Sequence, residues 1–208
     1  MPADADKAPG FRRIELSPEG AERLVMRFAE ADISISPSEG KGLLAEMELR
    51  GPNEAVSSWM PSVRRIEGIL VIGEEEGPVR VKELRLKMPA SIRDIEAHSG
   101  SGDIEASGLP ACFLIGVEGG RVSVKGATSL DATSVSGEIE TFETGASELR
   151  SESGRIRCVG PAGRLVARND SGDIEVDDAT ADLYLETGSG EILVSRPRGR
   201  VRVLSNSG

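Results

Sequence analysis

Aromatic residues are scarce in this chain of 208 residues: four Phe, one Trp and one Tyr, 3% in all. So few rings exclude the base-stacking platforms that single-strand nucleic-acid binders need, and they leave any core to Ile, Val, Leu and Ala. Trp59 and Tyr184 stand alone and form no sugar-stacking stripe. Histidine is scarcer still, with His98 the only one. That is a thin supply of general base for a serine or cysteine nucleophile, and no Cys/His set has metal-ligand spacing. Two cysteines are too few for a secreted domain held by disulfides, so Cys112 and Cys158 are expected to be reduced core thiols. No apolar run approaches the roughly 20 residues of a membrane span. The opening "MPADADKAPG" has no apolar signal-peptide core. A soluble, cytoplasmic protein is therefore expected, with the cell envelope as the alternative if the chain belongs to a longer protein. The formal charge of −10 disfavours nucleic acid and anionic lipid as partners.

What the chain has instead is 25 glycines and 11 prolines. Without a collagen period, these argue for many short strands. The stretch "SGSGDIEASG" at 99–108 looks like a phosphate loop, but such a loop must lead into a helix whose N-terminus faces the phosphate. Here Asp103-Ile104-Glu105-Ala106 alternates as a strand, and Gly108 and Pro110 follow. The motif then returns as "SGEIET", "SGRIRC", "SGDIEV" and "SGEILV". Gly102, Gly120, Gly137, Gly154, Gly172, Gly190 and Gly208 are spaced by 18, 17, 17, 18, 18 and 18 residues. A fixed short period means units that stack on their neighbours.

The columns of the repeat predict its geometry. Ile104, Val122, Ile139, Ile156, Ile174 and Ile192 form one inward column, and Ala106, Val124, Thr141, Cys158, Val176 and Val194 form the next. A second inward strand carries Phe113, Leu130, Ser147, Leu165, Leu183 and Val201, then Ile115, Ala132, Leu149, Ala167, Leu185 and Val203. Ile95 and Ala97 extend this strand back one rung. The expected fold is all-β: a flattened or right-handed parallel β-solenoid of about 18 residues per rung, with strands stacked at roughly 4.8 Å. A column of Ser99, Val117, Ser134, Ser151, Asn169, Thr187 and Ser205 is placed to bond turn backbone along the axis. Asp103, Arg121, Glu138, Arg155, Asp173 and Glu191 predict an outward ladder of acid over base, weakest where Asp173 meets Glu191.

Three regions follow: a disordered tail at 1–10, a β-rich cap or lead-in at 11–90, and solenoid repeats at 91–208. Strand-like alternation in the cap runs over 23–36, 42–51, 68–73 and 79–89, and 52–67 has room for one short helix before Pro61.

No catalytic, cofactor-binding or metal residue is assigned. "SEGKGLL" at 38–44 lacks the rest of a Walker loop. Calcium β-rolls repeat every nine residues, half this period. Paired carboxylates are the chemistry of polysaccharide hydrolysis, but the acids here recur on the structural period. His98 is expected at the surface.

The units "SGDIEA", "SGEIET", "SGDIEV" and "TGSGEILV" resemble a bacterial β-strand-repeat family known as putative adhesins, a domain of unknown function. The strand pair from "ADISIS", the apolar "GILVIG" and the step Met88-Pro89-Ala90 into the repeats also fit, so the resemblance covers about residues 23–208. It implies a β-helix or β-solenoid with no established catalytic residues. The expected function is a non-enzymatic interaction module for a protein or glycan partner. The alternatives are a scaffold that self-associates through open solenoid ends and, third, a polysaccharide-active β-helix enzyme.

Overall fold

The computed structural model describes residues 10–207. The expected tail at 1–10 lies outside the described residues except for Gly10, whose carbonyl accepts a hydrogen bond from Leu49 N–H at 2.6 Å. The N-terminal elements are β1 (Phe11–Leu16), β2 (Arg23–Phe28), β3 (Asp32–Pro37), β4 (Leu43–Arg50), α1 (Asn53–Ser58), β5 (Ser62–Ile66), β6 (Ile69–Gly73) and β7 (Arg80–Met88). The repeats follow as β8 (Asp94–Ser99), β9 (Ile104–Ser107), β10 (Cys112–Val117), β11 (Val122–Lys125), β12 (Ser129–Ser134), β13 (Ile139–Phe142) and β14 (Ala146–Ser151). They continue as β15 (Ile156–Val159), β16 (Leu165–Asn169), β17 (Ile174–Asp177), β18 (Leu183–Ser189), β19 (Ile192–Ser195) and β20 (Val201–Ser207).

Two ten-stranded sheets face each other across one core. From β8 on, successive strands alternate between the sheets, and each pairs in parallel with the strand one rung away. The fold is thus a β-solenoid of about 6 regular turns with about 18 residues per turn. The predicted register holds residue by residue: Val122 pairs with Ile104 and Ile139, Ile156 with Ile174, and Leu149 with Ala132 and Ala167. Alternation in each strand sends these side chains inward. Ile104, Val122, Ile139, Ile156 and Ile174 are fully buried, burial that stabilises by about 1.5–3 kcal/mol per side chain.

Close packing of the corners explains the glycine period. A Cβ on Gly137 would sit 1.6 Å from the carbonyl oxygen of Gly120. One on Gly154 would lie 1.8 Å from that of Gly137, and one on Gly172 2.1 Å from that of Gly154. Each corner rests directly on the one before it, and only hydrogen fits between.

Residues 11–90 depart from chain order. Strands β2 and β3 make a rung that pairs with β8 and β9 on one side and with β6 and β7 on the other. The rung that comes later in sequence therefore lies outside the earlier one. The alternation over 23–36 is two strands in opposite sheets, with Ala31 at the corner where the repeats carry glycine. The neighbouring β6–β7 connection is longer there, and the Glu74 carboxylate accepts from Ala29 N–H at 2.9 Å and Val81 N–H at 3.0 Å. Antiparallel strands finish this end, β4 and then β1 beyond β7, and β5 beyond β6. Antiparallel pairing ends the parallel stack, one way of managing sheet edges. Helix α1 is the short helix expected in 52–67; Val56 anchors it in the core.

Candidate interaction surface

The corners consume most of the polar groups that the sequence sets out at fixed spacing. Ser99, Ser134, Ser151, Asn169 and Thr187 are all buried. Ser134 Oγ accepts from Gly137 N–H at 2.8 Å, Ser151 Oγ from Gly154 N–H at 2.9 Å and Asn169 Oδ1 from Gly172 N–H at 3.1 Å. Asn169 Nδ2 and Thr187 Oγ1 donate onward to the carbonyls of Gly154 and Gly172 one rung away. The column therefore bonds both its own turn and its neighbour, as satisfied buried polar groups must.

The expected ladder of charges forms only in part. Arg121 Nε lies 3.5 Å from Glu138 Oε2. Asp103 instead turns its carboxylate to the backbone N–H of Arg121, at 2.7 Å. Asp173 does the same for Glu191 N–H at 2.9 Å, so the step expected to be weakest is bridged by a charge-assisted hydrogen bond. Arg155 pairs with Glu175 rather than Asp173. On the other sheet, Arg168 bridges Glu148 at 2.9 Å and Glu186 at 3.4 Å.

One carboxylate is drawn inward. Glu96 on β8 is buried, with Arg23 and Arg27 of β2 and His98 as its partners. Arg27 Nη2 lies 3.2 Å away and His98 Nε2 3.1 Å. Burial pushes the Glu96 carboxyl up, but hydrogen bonds from Arg23, Arg27 and His98 outweigh it and hold the group below the ordinary carboxylate range. His98 is half-exposed, as expected. Its ring lies over Gly116, where a Cβ would come within 2.6 Å of Nδ1.

One of the two thiols meets the expectation of a core cysteine and the other departs from it. Cys158 is a core residue, and burial pushes its thiol up to about 12 despite a hydrogen bond with Thr141. Cys112 is exposed, because odd positions of β10 face inward and even ones outward. Among the described residues no group of three or more His, Cys, Asp or Glu side chains could hold a metal ion. Lys41 of the "SEGKGLL" stretch lines a cleft with Pro18, Glu39 and Ser91, and a strand follows it, not a helix. No helix among the described residues is long and apolar enough to cross a membrane.

The two outer faces, with exposed charged rows repeating at the strand spacing of about 4.8 Å, are thus the surface the fold displays. The model of one protein family, Toastrack DUF4097, matches residues 60–208. The chain belongs to the Toastrack DUF4097 family. The match begins at Met60, so β1–β4 and α1 lie ahead of it. No curated protein matches the chain. A Parabacteroides distasonis protein called a putative adhesin has the same fold at a TM-score of 0.57, with 13% identity over 94% of each chain. A putative cell adhesion protein from Clostridium sporogenes aligns at a TM-score of 0.45 and 13% identity, covering 90% of this chain and 99% of its own. A putative lipid binding protein of Parabacteroides distasonis aligns at a TM-score of 0.38 and 13% identity, over 96% of this chain and 97% of its own.

Proposed function

We propose that this Toastrack chain is a non-enzymatic interaction module, a rigid platform that holds side chains in fixed rows for a protein or glycan partner. The observation that carries the reading is the division of labour between corners and faces. Periodic Ser, Asn, Asp and Gly groups close the turns on backbone partners, while the faces present exposed side chains at regular spacing. Such a lattice costs little conformational entropy on binding, which favours recognition by a preorganised surface. One solved structure of the same fold, named a putative adhesin, agrees with this reading. A glycan array and a pull-down with the purified chain test it. A ligand that binds the wild type and is lost on replacing outward residues of one sheet is the expected result, and no ligand in either assay would overturn it.

Self-assembly is the second reading. It draws on the solenoid end at β5, which has β6 as its one neighbour among the described residues and leaves Val63 and Ile66 exposed. Sedimentation at high concentration tests it, and a strictly monomeric species would reject it.

A further inference from the structure

We propose that a groove along one corner of the solenoid binds an extended, uncharged glycan; this rests on the interaction-module reading and names a ligand class for it. The corner follows β8, β10, β12, β14 and β16. At each of these strand ends one residue is buried, Ser99, Val117, Ser134, Ser151 and Asn169 in turn. The residues before and after it point outward, so two rows of side chains run along the axis with a trough between them. Two adjoining hollows of about 440 and 360 Å³ occupy the trough and share Val117 and Thr133. From β2 to β16 the trough crosses five rung steps, about 24 Å at the strand spacing.

The two walls differ in chemistry. Before the corner, Arg27, His98, Gly116, Thr133, Arg150 and Arg168 fall into line, each paired with the next. Glu96 and Glu148 hold the three guanidinium groups from the side away from the corner, and these arginine side chains stay 42–70% exposed. A guanidinium has more donors than those contacts use. After the corner stand Glu118, Val135, Glu152 and Asp170, all exposed. None of these carboxylates has a cationic nitrogen within 4.0 Å among the described residues. One wall therefore offers donors and the other acceptors. Sugar hydroxyls donate and accept, and so satisfy both walls, while Val117 and Val135 meet the C–H face of the ring. A charged polymer would meet its own sign on one wall, whichever sign it carries. A polypeptide finds no strand edge to join, because the N–H groups of Val135, Ser136, Glu152, Ser153, Asp170 and Ser171 already bond carbonyls one rung away. The straight axis selects a glycan that runs extended rather than coiled. At β18 the rows pass to Glu186 and Gly188, and the walls end.

The probes are cellohexaose, xylohexaose and N-acetylchitohexaose, with hexagalacturonate and fully deacetylated chitohexaose as charged controls. Calorimetry is read on the full chain. At least one neutral hexasaccharide should bind, and the charged ones at least about tenfold more weakly. Val135→Arg sets a long side chain across the trough and should abolish binding; Val135 is 43% exposed, so the fold should survive, which circular dichroism checks. Glu152→Ala and Asp170→Ala should each weaken binding about fivefold. Lys125→Ala, on the opposite sheet, should leave it unchanged. No binding of any neutral hexasaccharide overturns the proposal, as does equal or tighter binding of a charged one, or binding that the groove variants leave intact. A protein from the pull-down that Val135→Arg releases also overturns it, because the groove then takes a polypeptide. If the array or pull-down yields a ligand that does not use the groove, this site falls and the interaction-module reading stands; if no assay yields a ligand, both fall.

Discussion

The repeats from β8 onward and the region before them share one continuous core, yet they reach it by opposite routes. In the repeats each strand meets its partner 17 or 18 residues along the chain, and small groups decide everything: a glycine under each corner, a hydroxyl or Asn beside it, and Ala, Val or Ile inside. In the N-terminal region the rungs are stacked out of order, β2 pairs with β8 across some 70 residues, and Leu24, Met26, Met47, Leu84 and Met88 fill the interior. The lesson is that repetition gains close contact by excluding side-chain bulk. The irregular end uses bulk and antiparallel edges to finish the stack.

The sharpest way to break that contrast is to add one methyl group in each region. Gly137→Ala places a Cβ against the Gly120 carbonyl oxygen at 1.6 Å and its carbon at 2.7 Å, backbone atoms with no flexible side chain to yield. We expect a loss of about 3 kcal/mol, read as a lower denaturant midpoint. Gly40→Ala, in the loop between β3 and β4, meets Ser38 Oγ at 3.6 Å and Gly42 N at 3.9 Å, both ordinary contacts, and should change stability by less than about 0.5 kcal/mol. A mild effect at Gly137 would mean that the corners can separate and that the period does not reflect contact.

The seam between the two regions offers the next test. Glu96 of the first regular rung is held by Arg23 and Arg27 of the out-of-order rung. Glu96→Gln should cost about 2 kcal/mol at neutral pH, because it leaves the two guanidinium groups facing each other without their counter-charge. The sign with pH follows from the lowered carboxyl. The unfolded chain binds this proton more tightly than the folded one. The stabilisation is therefore complete above the ordinary glutamate range and fades as pH falls through the folded value. The gap between wild type and variant should be constant near neutrality and close in acid. A gap that stayed unchanged in acid would assign the loss to packing rather than charge.

How much of this was legible follows the same division. The inward columns, the register of β8–β20 and the hydroxyl column could be read directly, because a period of 17 or 18 repeats the same choice at every rung. The β2–β3 rung was hidden, since Ala31 replaces the corner glycine and Glu74 supplies by side chain what Ser and Gly supply elsewhere. Nothing in the spacing reveals that β6 and β7 stack outside β2 and β3, because that order depends on contacts far apart in sequence. The outward ladder was half legible. Its residue types were evident, but a carboxylate beside a corner can choose a backbone N–H over a guanidinium, and Asp103 and Asp173 both do. Cys112 was misplaced against the register already in hand: Phe113 and Ile115 face inward, so their neighbour Cys112 faces out, as its pairing with Asp94 and Ser129 shows.

The smallest predicted effect concerns the second corner of each rung, which no motif marks. Gly108, Gly126, Glu143, Gly160, Asp178 and Arg196 stand one rung apart, all with φ between +49° and +76°. The reason is shared. The N–H of Gly126, Glu143, Gly160 and Asp178 donates to the carbonyl that ends the strand of the next rung, at 2.8–3.1 Å, and the left-handed residue then turns the chain out of its strand. Three of the six positions have a side chain, which makes that conformation unfavourable by about 1–2 kcal/mol. Glu143 gains little in return, since its carboxylate lies 3.9 Å from Lys125 and both are exposed. Glu143→Gly should therefore raise stability by about 1 kcal/mol. Asp178→Gly should gain less, because it forfeits the Arg196 contacts at 2.7 and 2.9 Å. Thermal denaturation of the two variants side by side decides the matter. If Asp178→Gly proves the more stabilising, the ion pairs at this corner contribute nothing. Backbone conformation alone would then govern it, as contact alone governs the glycine corner opposite.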